Sequence, residues 1–276
     1  MTLLLTGATG FVGRQVHAAL AEHDLALRVV IRTGTETRLV APATEIVTTR
    51  DLFAESAGWW ADACAGVESV LHAAWYTEPG KYLHSPKNAE CLSGTLACAN
   101  GAAHAGIRRF VGIGTCFEYD VGLGTLSTQT PLKPETPYAQ AKATAFSALT
   151  AFLPPRGVSF AWCRLFYLYG QGEDERRLVP SLHRHLAAGE PVDMTSGCQV
   201  RDFLDVREAG RMIADAALGT IQGPINICSG VPATVRALAE RIADGYGRRD
   251  LLRFGARPEN AFDPPCVVGV RSHQRG

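Results

Sequence analysis

Short apolar runs alternate with longer segments of helical periodicity through the first 165 residues of the 276-residue chain. The apolar runs predict strands and the longer segments predict helices. The predicted strands are Thr2–Leu5, Ala26–Ile31, Glu45–Val47, Ser69–His72, Arg109–Ile113 and Ser159–Arg164. The predicted helices are Phe11–Glu22, Trp59–Gly66, Pro86–His104 and Pro137–Leu153. Strands and helices that alternate in this way indicate an α/β fold with a doubly wound parallel sheet.

The pattern changes after Phe166, where loops lengthen and strand candidates become brief. Helices are predicted at Leu178–Ala188, Val206–Leu218 and Thr234–Gly245, and strands at Pro191–Val192, Phe203–Leu204 and Ile225–Cys228. We therefore expect a large domain over residues 1–165 and a smaller lobe over 166–276, with a cleft between them. Segments near 203–228 are expected to return to the large domain.

A glycine-rich turn joins the first predicted strand to the first predicted helix. Gly7, Gly10 and Gly13 are suited to a tight turn, to close approach of a pyrophosphate and to close helix–strand packing. In this context the pattern predicts a Rossmann dinucleotide site, with phosphate on the helix N-terminus; the alternative is a structural turn. The predicted cofactor-binding residues of this turn are Gly7, Thr9, Gly10, Phe11, Val12 and Gly13.

The residue that ends the second predicted strand indicates which dinucleotide is bound. Arg32 stands where a carboxylate would bind the adenosine ribose of NAD, and a guanidinium suits a 2′-phosphate. The sequence therefore favours NADP (NADPH) over NAD, unless Arg32 is only a solvated loop residue. Further cofactor contacts are expected after the third and fourth strands, from Asp51, Leu52, His72, Ala73 and Ala74.

A tyrosine and a lysine lie one turn apart on the predicted helix Pro137–Leu153. Tyr138 and Lys142 share a helix face at i and i+4, and a cation there stabilises a phenolate and lowers its pKa towards neutrality. Thr115 follows the fifth strand at the carboxyl edge of the sheet, where its hydroxyl can orient a substrate oxygen. We expect these three side chains to be catalytic; the alternative for Thr115 is a capping or turn hydroxyl.

Composition narrows the other classes of function. The formal net charge is +0, which gives no reason to expect nucleic acid or a membrane surface as a partner. The eight cysteines form no C-x-x-C pair, so they are interpreted as small buried residues in a reducing compartment, and no metal site is expected. Residues 1–5 start a strand rather than a basic leader, and we expect a cytoplasmic protein.

These motifs together resemble the extended short-chain dehydrogenase/reductase family, in its sugar-nucleotide epimerase, dehydratase and reductase branch. The resemblance implies a Thr-Tyr-Lys catalytic triad, a lysine that also holds the nicotinamide ribose, and a nucleotide-diphosphate sugar as substrate. It also implies a homodimer through the helices Pro86–His104 and Pro137–Leu153, allowed by the small residues Gly94, Ala97, Gly101 and Ala102. The implied substrate contacts are Thr115, Tyr167, Arg177, Arg201 and Arg257.

Departures from the family pattern narrow the choice of reaction. The 4,6-dehydratases carry Thr-Asp-Glu after the fifth strand, whereas here Cys116 and Phe117 follow Thr115; Glu118 comes one place late and is expected to face away. The chain looks more like ketoreductases that reduce 4-keto-6-deoxy sugar nucleotides, with Tyr138 as the acid. An NAD-dependent epimerase and a non-catalytic dinucleotide sensor are the alternatives.

Overall fold

The computed structural model describes residues 1–260 and 263–271. Its core is a seven-stranded, fully parallel sheet in the order β11-β7-β5-β4-β1-β2-β3. The strands of this sheet are β1 (Thr2–Thr6), β2 (Ala26–Arg32), β3 (Glu45–Thr49), β4 (Ser69–His72), β5 (Arg109–Thr115), β7 (Ser159–Leu165) and β11 (Gly223–Ile227). The doubly wound α/β fold predicted from the sequence is confirmed.

Helices cover both faces of the sheet because its strands are apolar on both sides. Leu3 and Leu5 of β1 pack beside α1 and α6, while Leu4 packs on the opposite face beside α2, α3 and α4. The helices are α1 (Phe11–Leu20), α2 (Ala57–Ala63), α3 (Lys87–His104), α4 (Pro137–Phe152), α5 (Leu178–Ala188), α6 (Val206–Leu218) and α7 (Val235–Asp244). All seven correspond to helices that the sequence predicts.

The remaining strands form two small sheets beside the large one. One is ordered β12-β10-β14-β6, with β8 also paired to β10, and the other pairs β13 with β9. These strands are β6 (Thr125–Leu126), β8 (Tyr167–Tyr169), β9 (Val192–Met194), β10 (Val200–Asp205), β12 (Pro232–Thr234), β13 (Leu252–Phe254) and β14 (Cys266–Gly269). Of these strands the sequence analysis predicted parts of β9 and β10; the five missed strands are two to four residues long.

Strands and helices after residue 166 contribute both to the large sheet domain and to the small sheets. The strand predicted at Ile225–Cys228 is β11, which pairs with β7 at one edge of the large sheet. Helix α6 packs on α1, so closely that a Cβ on Gly210 would lie 2.7 Å from the backbone of Gln15. The strand predicted at Phe203–Leu204 belongs instead to β10 of the small sheet.

The small residues of α3 serve packing inside the subunit. A Cβ on Gly94 would lie 2.5 Å from the Cα of Phe53, and one on Gly101 would lie 2.3 Å from the carbonyl oxygen of Ala57 in α2. Ala102 is fully buried in the same layer. Gly94 therefore lets α3 approach Phe53, and Gly101 lets it approach α2.

The cysteines are all free thiols, and most of them pack in the core as expected. Burial raises the pKa of several of these thiols, which makes them poor nucleophiles. Cys198 and Cys266 are the exceptions to the prediction of burial: Cys198 is exposed in the loop before β10, and Cys266 is partly exposed at the start of β14.

Candidate active site

The glycine turn between β1 and α1 has a form that leaves the helix N-terminus accessible. Gly7 has a φ of +76°, and a Cβ there would lie 2.8 Å from the backbone nitrogen of Ala74. A Cβ on Gly13 would lie 2.0 Å from the carbonyl oxygen of Gly7, so side chains are excluded at both positions. Gly10, in contrast, is exposed and is the N-cap of α1 without a side-chain cap.

This turn fits a dinucleotide phosphate. The first turn of α1 contains no acidic residue, so its backbone N–H groups and the helix dipole can act on an anion. Thr9, Phe11 and Val12 are partly exposed around the same turn. Gly7 lies directly against Ala73 and Ala74 at the end of β4, which brings two of the predicted cofactor segments together.

Two arginines lie towards the exposed end of β2, beside the glycine turn. Arg32 ends β2 and is exposed, as the sequence predicts for a residue that contacts a ribose phosphate. Arg38, in the short 3₁₀ helix Glu36–Arg38, donates from Nη2 to the carbonyl oxygen of Thr9 at 3.2 Å. The sequence reasoning missed Arg38, since no local pattern shows that the segment after β2 folds back onto the glycine turn.

The predicted contacts after β3 and β4 differ in what their side chains do. Asp51 is exposed, and its Oδ1 accepts the backbone N–H of Phe53 at 3.0 Å, while Leu52 packs partly into the core. The imidazole of His72 is buried, with Thr6 Oγ1 3.0 Å from Nδ1 and Thr95 Oγ1 3.0 Å from Nε2.

The side chain of His72 therefore links β1, β4 and α3 by hydrogen bonds, and only the backbone of His72 is available to contact a cofactor. Burial and the charge of Lys142 lower the pKa of this imidazole to about 3, so it is neutral at physiological pH. The cofactor contact predicted at His72, Ala73 and Ala74 is therefore a contact with the backbone at the end of β4, and it stays a prediction.

Thr115 and Tyr138 meet at the carboxyl end of β5. Tyr138 is the second residue of α4, which begins at Pro137 behind the N-cap Thr136, and Thr115 is the last residue of β5. Both side chains are more than nine-tenths buried. The Thr115 hydroxyl accepts the backbone N–H of Phe117 at 3.3 Å, so it caps the turn that follows β5, and it also acts to lower the pKa of the Tyr138 phenol. Burial raises the pKa of the Tyr138 phenol strongly, with smaller contributions from Tyr82 and Glu118, so Tyr138 is protonated in this structure.

Lys142 lies one turn further along α4 and is also buried. Its Nζ donates to the carbonyl oxygen of Ile113 at 2.7 Å and lies 3.7 Å from the centre of the Trp75 ring. Burial lowers the pKa of Lys142 to about 7, while the nearby carboxylate of Glu118 opposes that shift. The expected lowering of the Tyr138 pKa by Lys142 is not seen in this structure, where burial raises the pKa of the phenol and the lowering influence comes from the Thr115 side chain.

Glu118 folds back beneath Thr115 instead of continuing the strand. Residues Cys116–Glu118 form a 3₁₀ helix, and the Glu118 carboxylate is fully buried. It accepts the Thr115 N–H at 2.8 Å, the Trp162 indole N–H at 3.0 Å and the Nε–H of buried Arg164 at 2.7 Å. The strand therefore does not continue to Glu118, contrary to what the sequence analysis assumed. Its carboxylate points into the protein interior, where it accepts these three hydrogen bonds.

Aromatic and basic side chains border Tyr138 on the outer side. Tyr82 packs edge-on against Tyr138 with ring centres 4.9 Å apart. Burial raises the pKa of the Tyr82 phenol, and a hydrogen bond and the positive charge of Arg177 oppose that rise. Arg177 is the N-cap of α5, so the structure places this predicted substrate residue close to the Thr115–Tyr138 pair through Tyr82.

Tyr167 and Arg201 also meet in the structure. The guanidinium carbon of Arg201 lies 5.2 Å from the centre of the Tyr167 ring. Arg201 is nearly fully buried, donates to the carbonyl oxygen of Val200 and pairs with Asp263 at 2.6 Å. Tyr167 hydroxyl is buried, and among the described residues it has no hydrogen-bond partner.

The other parts of this predicted substrate segment have different roles. Asp202 is fully buried and accepts the backbone N–H groups of Ser229, Gly230 and Gly269 at 2.7–3.1 Å, so it joins β10 to two neighbouring segments. Arg257 lies on the surface, and its backbone N–H binds the carbonyl oxygen of Met194.

Comparison with known proteins identifies the family. The model of the NAD dependent epimerase/dehydratase family matches residues 3–228. The chain belongs to this family. The family is part of the extended short-chain dehydrogenase/reductase group and comprises epimerases, dehydratases and dehydrogenases of nucleotide sugars. Its members depend on a nicotinamide dinucleotide.

Individual relatives are distant but cover almost the whole chain of this family member. It is 24% identical to dTDP-6-deoxy-L-talose 4-dehydrogenase (NAD(+)) of Aggregatibacter actinomycetemcomitans, over 98% of the chain and 100% of the relative. In fold it resembles UDP-N-acetylglucosamine 4-epimerase of Methanobrevibacter ruminantium M1, with a TM-score of 0.86, 21% identity and coverage of 98% and 89%. DesIV of Streptomyces venezuelae, a dTDP-glucose 4,6-dehydratase, gives a TM-score of 0.80, 23% identity and coverage of 98% and 88%.

Two classes of site are not found in the described part of the chain. No group of three or more His, Cys, Asp or Glu side chains is arranged to hold a metal ion there. No helix in residues 1–260 or 263–271 is long and apolar enough to cross a membrane.

Proposed function

We propose that the protein reduces the 4-keto group of a nucleotide-linked 4-keto-6-deoxy sugar with NADPH. The observation that carries this proposal is the buried group of Thr115, Tyr138 and Lys142 at the carboxyl end of β5. The glycine turn follows β1 at the same edge of the parallel sheet. The similarity to the Aggregatibacter relative, a 4-dehydrogenase of a dTDP-6-deoxy sugar, supports chemistry at the same carbon.

The three side chains have separate tasks in this reaction. Tyr138 is protonated because burial raises its pKa, so it can donate its proton to the oxygen of the substrate carbonyl as an alkoxide forms. Thr115 orients that oxygen through its hydroxyl. Lys142 supplies positive charge one helical turn away, which stabilises the Tyr138 phenolate left by proton transfer. The bound nicotinamide supplies the hydride.

The residues after Thr115 argue against water elimination. A 4,6-dehydratase needs an acid and a base at this point, but Cys116 and Phe117 offer neither. Glu118 is buried, and its carboxylate is used by Thr115, Trp162 and Arg164. A carboxylate that three buried protein donors already occupy is not placed to act on a substrate.

The preference for NADPH rests on two guanidinium groups. Arg32 is exposed at the end of β2, and Arg38 is bound to the glycine turn at Thr9. Together they suit a 2′-phosphate on the adenosine ribose. The name of the Aggregatibacter relative specifies NAD(+), so the two cofactors must be compared directly.

The substrate side of the cleft is proposed to hold a nucleotide diphosphate. Arg201 and Arg177 provide guanidiniums for its phosphates, and Arg257 is a further candidate on the surface. The buried Tyr167 hydroxyl, which lacks a partner in the described residues, is positioned as a contact for the sugar. The elements outside the large sheet would form this lobe, in a cytoplasmic homodimer whose second subunit packs on α3 and α4.

An NAD-dependent epimerase is the second candidate, because several structural neighbours are named 4-epimerases. Such an enzyme would use the same three side chains for oxidation and re-reduction of one sugar carbon. The discriminating experiment adds NADPH or NADH to the purified protein with a 4-keto-6-deoxy nucleotide sugar and follows absorbance at 340 nm. Stoichiometric consumption of NADPH is expected for the reductase, whereas isomerisation without net consumption would favour the epimerase.

A further inference from the structure

The ammonium group of Lys142 lies on the face of an indole ring. Its Nζ is 3.7 Å from the centre of the Trp75 ring, and the lysine side chain is only 3% exposed. Trp75 comes directly after the His72-Ala73-Ala74 stretch at the end of β4. The ring thus lies at the edge of the cofactor region, in contact with the cation that the proposed reaction requires.

This contact replaces part of the hydration that Lys142 loses on burial. A cation over the face of a tryptophan is stabilised most where water is excluded. The other described neighbours of the ammonium are the carbonyl oxygen of Ile113 at 2.7 Å and the Trp162 ring, whose centre is 5.8 Å away. Trp75 is the nearer of the two rings, so its face gives the stronger cation–π contact to this charge.

The indole ring is itself held in place by a buried amide. Trp75 Nε1 donates to Oδ1 of Asn88 at 2.9 Å, and Asn88 is 2% exposed. The Asn88 amide nitrogen in turn donates to the carbonyl oxygens of Tyr82 at 2.6 Å and Ser85 at 3.0 Å. The ring also meets Tyr138 edge-on, with centres 6.4 Å apart.

We propose that Trp75 is the positioning residue for Lys142, with its indole face, fixed by Asn88, holding the ammonium group charged and in place beside Tyr138. The proposal deepens the proposed function, on which it rests only for the role given to Lys142. Trp75 acts through Lys142 and takes no proton or hydride itself.

The other groups around Lys142 determine in which direction its pKa should move when Trp75 is replaced. The carboxylate of Glu118 and the thiol of Cys91 both raise the pKa of Lys142, and His72, which faces it from β4, is neutral. None of these groups is altered by a change at position 75. Loss of the ring face should therefore lower the pKa of Lys142 from its value of about 7.

The first test measures Lys142 directly in the ligand-free protein. The chain has four lysines, so ¹³C-lysine labelling gives few ε-CH₂ signals, and the signal lost in Lys142→Met assigns Lys142. In the wild-type protein these protons should be shifted upfield by the indole ring. Trp75→Leu should remove most of that shift, leaving the weaker contribution of the Trp162 ring, and lower the Lys142 pKa by about one unit; Trp75→Phe should do so by less.

Trp59→Phe is the matched control, because Trp59 packs edge-on against Trp60 in α2, away from the site. It should leave the Lys142 signal unchanged. Asn88→Ala should reduce the upfield shift while Trp75 is still present. A wild-type signal without the upfield shift, or a Lys142 pKa unmoved or raised in Trp75→Leu and Trp75→Phe, would overturn the proposal.

The second test uses turnover. The alkaline limb of the kcat/KM profile should move to lower pH by about one unit in Trp75→Leu, with kcat reduced more than KM is raised. An unshifted limb in an active, folded variant contradicts the inference. If the wild-type protein reduces no sugar while the NMR result holds, the proposed function fails and the placement of Lys142 by Trp75 stands.

Discussion

The carboxylate of Glu118 accepts the backbone N–H of Thr115 at 2.8 Å, so this acidic side chain fixes the backbone of the threonine for which we propose a catalytic role. The same carboxylate balances the guanidinium of Arg164, which is stacked near the rings of Tyr119 and Phe146. The position of Thr115 and the charge balance beneath it therefore depend on one buried side chain.

The first prediction concerns this buried ion pair. Glu118→Gln keeps the shape of the side chain but leaves the Arg164 charge uncompensated, so the free energy of unfolding should fall by about 3–5 kcal/mol. Urea unfolding measures this loss. Adding Arg164→Met to Glu118→Gln should recover part of it, since no unpaired charge is then buried. A loss below about 1 kcal/mol in the single variant would contradict the assigned role.

Removal of one hydroxyl group tests the proposed acid. Tyr138→Phe should reduce turnover at least about a hundredfold while NADPH binding is retained, because the ring still packs but no proton can be donated. Cofactor binding is measured by NADPH fluorescence and turnover by absorbance. Tyr246→Phe, at a tyrosine that is 40% exposed after α7, is the matched control and should keep normal turnover. Unchanged turnover in Tyr138→Phe would exclude this residue from the mechanism.

Cofactor preference should depend on the two arginines near the glycine turn. Arg32→Ala and Arg38→Ala should each weaken NADPH binding about tenfold or more, because a charge-assisted contact to a phosphate is worth roughly 1.5–3 kcal/mol. NADH binding should change little. Isothermal titration of both cofactors checks this, with Arg184→Ala of α5 as control. Equal effects on NADPH and NADH would assign these residues to general structure instead of 2′-phosphate recognition.

The buried ammonium of Lys142 should make stability depend on pH. Its pKa is about 7 in the folded protein, against about 10.4 for an unfolded chain, so the unfolded chain holds the extra proton between these values. The destabilisation is therefore full below about pH 7 and fades as the pH rises towards about 10.4.

Lys142→Met removes that effect and should raise Tm more at about pH 6 than at about pH 9.5. Differential scanning fluorimetry of the two proteins at both pH values gives the difference directly. Lys133→Met is a control on an exposed lysine and should show no such pH dependence. A Tm difference of equal size at both pH values would contradict the lowered pKa.

Local patterns predict much of the fold and part of the site. The strands of the large sheet are apolar on both faces, so their runs are visible in the sequence, and the pair Tyr138 and Lys142 is visible because i and i+4 share a helix face. The short strands at the edges were missed, since two to four residues carry too little periodicity and depend on distant partners.

The contacts that refine the site join residues far apart in the chain. Trp75 reaches Lys142, and Arg38 reaches Thr9, only after the sheet has assembled. Glu118 was misplaced because a strand continuation and a 3₁₀ turn cannot be distinguished over three residues. No local spacing rule encodes such contacts, so they could be found only in the three-dimensional structure.

The most direct test of the central claim follows the hydride itself. NADPH deuterated at C4 of the nicotinamide is incubated with the protein and a 4-keto-6-deoxy nucleotide sugar, and the product is analysed by mass spectrometry and NMR. If the protein is the proposed reductase, we expect one deuterium at C4 of the sugar for each NADPH oxidised. A sugar product that carries no deuterium, or an isomerised sugar formed without oxidation of NADPH, would contradict it.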